Sequence, residues 1–129
     1  MNAARAYART QQETASKERL MVLLFEAALK HIRAGATALE AGKRQEAVAP
    51  LTRAGDIVTE LSATLDVTRA PELGQVLKDV YLFVSGRLIR AAATGQADAA
   101  REAERVFAPI VDAFSAAVAQ QAGPVEAGR

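Results

Sequence analysis

Residues 44–65 read RQEAVAPLTRAGDIVTELSATL. Within them Ala47, Leu51, Ala54, Val58, Leu61 and Leu65 recur at spacings of 4, 3, 4, 3 and 4. At about 100° of turn per residue, that rhythm puts all six on one side of an α-helix. Ile57 widens the stripe, while Arg53, Asp56 and Glu60 fall on the far side. The stretch predicts an amphipathic helix that buries one face against other helices.

Punctuation on either side predicts three more. Ser16 is a suitable N-cap for a first helix, with Glu18 in the first turn where the helix dipole favours an acid. That helix runs to about Ala41, and Gly42 stands where a left-handed C-cap glycine belongs. The third opens at Pro71, a good first-turn residue, with Glu72 beside it, and stops at Gly95. Asp98 is placed to cap the fourth, which continues to about Gln121. Long helices joined by short connections pack antiparallel, so the expected fold is all-α, an antiparallel up-down four-helix bundle forming a single domain over residues 1–129. Residues 1–15 have little periodicity and are expected as a flexible segment, loose or short-helical with a turn around Ala3 to Tyr7. Residues 122–129 are expected as a disordered tail. Pro50 and Pro109 fall inside helices and should kink or delay them. Gly35, Gly55 and Gly86 each cost roughly 1 kcal/mol relative to Ala in a helix interior; close helix approach and simple drift are both open explanations.

Composition agrees with this class. Half of the 129 residues are apolar but only 5% are aromatic, and alanine is abundant, a mixture that favours helices over sheets. Sixteen basic residues against fifteen acidic ones, with no block of like charge, argue against nucleic acid as a partner. Cysteine is absent, which removes disulfides and thiolate chemistry. The opening MNAARAYARTQQETASKER has no apolar core of a secretory signal. The longest apolar run, Leu20 to Phe25, is six residues, against the roughly 20 needed to span a bilayer. No membrane insertion and a cytoplasmic location are expected.

Motifs for chemistry are missing. There is no P-loop, no GxGxxG and no HExxH, and a single histidine cannot build a His-rich metal site. No Glu-x-x-His pair exists, which excludes the di-iron bundles. His31 lies near the edge of the first helix's apolar face and reads as packing or solvent contact. Tyr7 and Tyr81 read as hydrogen-bonding core residues, with nothing beside them to activate a phenol. A small bundle enzyme of the chorismate mutase type needs inward Arg and Lys, whereas these inward stripes are apolar. No enzyme activity, cofactor or metal is expected.

Three helices carry more apolar surface than one core contact uses. In the third, Leu73, Leu77, Val80, Val84, Leu88 and Ala91 form a core stripe, and Leu82 and Ile89 then land on roughly the opposite side. In the fourth, Val106, Ile110, Ala113 and Ala117 form one stripe and Phe107, Val111, Phe114 and Val118 its neighbour. Together they span roughly 160°, more than the ~100° required. In the first, Leu20, Leu24, Ala28 and Ile32 face the core, so Val22 and Leu23 do not. Deeply sunk helices, a homodimer, or a groove for a partner's amphipathic helices would each account for the surplus. The residues assigned to partner binding are Tyr7, Val22, Leu82, Phe83, Ile89, Phe107, Val111, Phe114 and Val118.

Three blocks carry a resemblance. The first is Tyr7, Thr10, Gln11, Glu13, Thr14, Ala15 and Ser16, followed by Glu18, Leu20 and Leu24. The second is Arg53, Ala54, Ile57, Leu61, Leu65 and Asp66 within RAGDIVTELSATLD. The third is Leu77, Tyr81, Leu88 and Ala92 within LKDVYLFVSGRLIRAA. In this order and spacing, from Tyr7 to about Val118, the chain resembles the flagellar secretion chaperone family, FliS. It departs at Lys17, where the family usually has Pro, at Phe25 to Ala28, and in lacking a C-terminal Trp. The resemblance implies a cytoplasmic, non-enzymatic four-helix chaperone. It would bind the disordered C-terminal segment of flagellin in apolar grooves, prevent premature polymerisation and support type III export. It further implies an N-terminal segment lying over part of the groove, and an anti-sigma factor and the export gate as other partners. A helical adaptor or homodimerisation protein of another secretion or regulatory system is the alternative reading.

Overall fold

The connection after Glu40 shows how the sequence ends its helices. In the computed structural model, which describes the backbone of residues 2–127 and the side chains of residues 2–121, the first helix (α1) spans Ala3–Glu40. Gly42 follows at φ 74°, where a Cβ would be strained. Its N–H donates to the Leu39 carbonyl and the Lys43 N–H to the Ala38 carbonyl, a Schellman turn. Gly95 closes α3 in the same left-handed region, at φ 75°. There the Arg44 guanidinium donates to the Ala92 and Ala93 carbonyls, satisfying groups that the helix end leaves unpaired.

The remaining helices are α2 (Arg44–Ala63), α3 (Pro71–Thr94) and α4 (Ala97–Ala127). Pro71 occupies the first turn of α3 as expected, whereas Asp98 lies within the first turn of α4 rather than ahead of it as a cap. The helical spans of α2 and α4 run through Pro50 and Pro109. Both α1 and α3 pack against α2 and α4, so the four close a ring with α1 and α3 on its diagonal. With short connections this is the antiparallel up-down bundle.

The expected loose N-terminus is different. Residues 3–15 continue α1 without a break, and Ser16 is an interior helical residue rather than an N-cap. The reason is local: the segment is rich in Ala, Arg and Gln and has no Pro or Gly to stop it. The Thr10 and Thr14 hydroxyls donate to the carbonyls of Ala6 and Thr10, four residues back, so they do not compete with the helix. Every residue from Ala3 to Lys17 is exposed, so the segment extends beyond the core and does not lie across the bundle. The backbone of residues 122–127, expected as part of a disordered tail from 122 to 129, continues α4, and residues 128–129 lie outside the described residues.

The core is apolar. On α2, Ala47, Leu51, Ala54, Val58 and Leu61 are buried, as the opening stripe requires. On α1 the buried set is Phe25, Ala28, Leu29, Ile32, Gly35, Ala36 and Leu39. Leu20, expected in the core, is exposed, because the bundle's packing starts about one turn later. Leu73 is likewise exposed in the first turn of α3.

The fourth helix reverses its expected faces. Phe107 and Val111 are fully enclosed, whereas Val106 and Ile110 are only half-buried and Ala113 and Ala117 are exposed. The Phe25 ring of α1 decides this, with its centroid 5.8 Å from that of Phe107 and 5.0 Å from that of Phe114. Turning the phenylalanine stripe inward buries far more area than turning the alanine-bearing one.

A polar seam ties α1 to α4 outside this core. Arg101 grips Glu40 through Nε and a terminal nitrogen at 2.9 and 2.8 Å, and reaches Glu104 at 2.8 Å. Arg33 meets the other oxygen of Glu104 at 2.8 Å.

Candidate functional site

The nine residues assigned to partner binding separate into four groups. Phe107 and Val111 leave the set: they are core residues, for the reason given above. Val22, Phe114 and Val118 are half-buried along α1 and α4, with Phe114 resting on Phe25. Tyr7 sits on the exposed N-terminal extension, where its hydroxyl accepts a hydrogen bond from the Gln11 amide at 3.0 Å. Leu82, Phe83 and Ile89 remain as large apolar side chains exposed on α3.

These three lie on two flanks of α3. At 100° per residue, Val76 and Phe83 project toward one side and Leu82, Ser85, Ile89 and Ala92 toward the other. On the Phe83 side, Arg87 of α3 itself covers part of the ring. Arg87 stands over the Phe83 ring at 5.2 Å from its centroid and pairs with Glu102 of α4 at 3.2 Å. Such a stacked guanidinium both shields and holds the ring.

The other flank is open. A cleft of about 300 Å³ separates α2 from α3, lined by Leu51, Thr52, Gly55, Asp56 and Thr59 on one wall and Ser85, Leu88, Ile89 and Ala92 on the other. Leu51 and Leu88 are buried and form its floor. Ile89 stands on the α3 wall at 69% exposure, and Leu82, equally exposed, continues the same flank two turns back. From Ser85 to Ala92 the α3 wall is about 10 Å long at 1.5 Å per residue, room for roughly two turns of another helix. The α2 wall was not foreseen: Thr52, Gly55 and Thr59 look like polar-face filler until α3 is set beside them. A second crevice of about 320 Å³, between α1 and α4, is edged by Glu26, Lys30, Arg33 and Asp112 and offers less apolar ground.

Electrostatics give no reactive group. Burial pushes the Tyr81 phenol up to about 12, so it stays protonated at neutral pH. Glu104 is pushed up by burial, but hydrogen bonds and charge from Arg33 and Arg101 outweigh this and hold its carboxyl below the usual range. The Arg101 hydrogen bond does the same for Glu40. Among the described residues no cluster of His, Asp or Glu could hold a metal ion, and no helix is long and apolar enough to cross a membrane.

The fold is thus a four-helix bundle with an open cleft of mixed polar and apolar lining between α2 and α3. The profile of the family described as flagellar protein FliS matches residues 1–121, and the chain belongs to that family. No individual curated sequence matches it. The family is one of flagellar export chaperones and not of enzymes.

Proposed function

We propose that this protein holds the C-terminal segment of flagellin as an amphipathic helix along the α2–α3 cleft, keeping flagellin from polymerising before type III export. The observation that carries this reading is the pair Leu82 and Ile89, each 69% exposed on one flank of α3 beside the cleft. Covering a large aliphatic side chain contributes about 1.5–3 kcal/mol. Two such residues and the cleft floor offset part of the entropy lost when a disordered segment becomes helical.

The test is a pair of carboxylates. Leu82→Asp and Ile89→Asp sit at exposed positions, so both variants keep the far-ultraviolet circular dichroism of the native bundle. Each should weaken binding to a flagellin C-terminal peptide by roughly tenfold or more, the effect of losing about 1.4 kcal/mol. Native-like affinity in both would put the binding surface elsewhere. Val111→Asp is unsuitable for this purpose, because Val111 is buried in the core.

A further inference from the structure

The cleft contains a glycine that the bundle itself does not need. A Cβ built on Gly35 would collide with Leu51, and one on Gly74 with Val67. A Cβ on Gly55 would meet nothing within 4 Å. Gly55 is interior to α2, where glycine carries its usual entropic cost, and its φ is not in the left-handed region. Gly86 is also unobstructed, but it lies on the exposed outer face of α3 and is not among the residues lining the α2–α3 cleft. Gly55 lies in the cleft wall between Thr52 and Thr59, and Ile89 lines the opposite wall. Small residues at i, i+3 and i+7 on one wall and a large one on the other leave a shallow trough along α2. Backbones of packed helices approach closely where side chains are this small.

Beside Gly55, Asp56 also lines the cleft. It is exposed and takes part in none of the ion pairs found among the described residues. The α2 wall therefore offers, next to Gly55, one carboxylate outside those ion pairs.

We infer that this wall selects the bound helix: Gly55 admits its backbone, and Asp56 favours a segment carrying Lys or Arg at the border of its apolar stripe. This rests on the reading of the cleft as the flagellin site, and the occupant is a helix of that C-terminal segment. The role of Gly55 sets stability against binding. A methyl group there fits the free protein and improves its helix, yet occupies space that the partner needs. Asp56 acts through charge, so its share of the affinity is screened by salt.

The purified full chain would be titrated with a synthetic peptide covering flagellin's last ~40 residues, the length of two or three average helices. Gly55→Ala should raise Tm by roughly 2–5 °C, the shift expected for a helix-interior Gly→Ala in a chain of this size. The same variant should bind the peptide roughly threefold to tenfold more weakly, a misfit of one methyl group. Gly86→Ala should raise Tm similarly and leave affinity unchanged. Asp56→Lys should weaken binding by roughly tenfold at low salt, with the loss shrinking as salt is added. If Leu82→Asp abolishes binding while Gly55→Ala and Asp56→Lys bind like the native chain, the selecting wall is refuted and the cleft stands. If the native chain does not bind the peptide, both are refuted.

Discussion

Gly35 of α1 lies so close to Leu51 of α2 that a Cβ there would sit 2.5 Å from Leu51 Cδ2 and 2.7 Å from its Cγ. Leu51 is itself buried, and moving it aside would push it out of its core packing into the cleft whose floor it forms. Gly35→Ala should therefore destabilise the bundle by about 1–2 kcal/mol, overpacking outweighing the gain in helix propensity. Gly86→Ala should do the opposite and stabilise by about 0.5–1 kcal/mol. Urea unfolding of the two variants checks both signs at once.

Phe25 stands between Phe107 and Phe114, and this trio sets the rotation of α4. Phe107→Ala should cost about 3–5 kcal/mol, the range for emptying a buried aromatic site. Val106→Ala, one position earlier and half-buried, should cost much less, no more than about 1.5 kcal/mol. Equal losses in chemical denaturation would mean that α4 is turned between its two stripes.

The seam of Arg101 with Glu40 and Glu104 carries a pH signature. Both carboxyls titrate below their ordinary value in the folded protein. Their contribution is therefore complete above the unfolded glutamate pKa of about 4.3 and is lost as pH falls through the lower folded values. Arg101→Gln removes most of that contribution. The Tm difference between native and Arg101→Gln proteins should be widest near pH 7 and should narrow toward pH 3. A gap independent of pH would show that the seam acts only by packing. Added salt should reduce the gap as well, since Glu40 is half-exposed and Arg101 and Glu104 are in part open to solvent.

The opening stripe of α2 was legible because a single apolar arc leaves a helix one way to face. The turns at Gly42, Gly95 and Pro71 were legible because each residue type meets a specific backbone demand. On α4 two apolar arcs lie side by side, and periodicity cannot rank them. The choice depends on Phe25, some eighty residues away in sequence. Ser16 was read as a cap because its chemistry suits one, but without a helix breaker before it the alanine-rich segment simply stays helical. Of the site, Leu82 and Ile89 were visible as surplus on a helix whose core stripe was already accounted for. Gly55 and its neighbours were not, because a groove has two walls and the second belongs to another helix.

The central claim is that the chain folds a flagellin segment against its α2–α3 cleft. Calorimetric titration with the peptide from flagellin's C-terminus, repeated at several temperatures and followed by circular dichroism, tests it most directly. Binding in the cleft should give a saturable heat, a negative heat-capacity change from burial of apolar surface, and more helix in the complex than in the separate components. Ile89→Asp should weaken all three signals together. A native chain that gives no saturable heat, or that binds without any gain in helix, would contradict the claim.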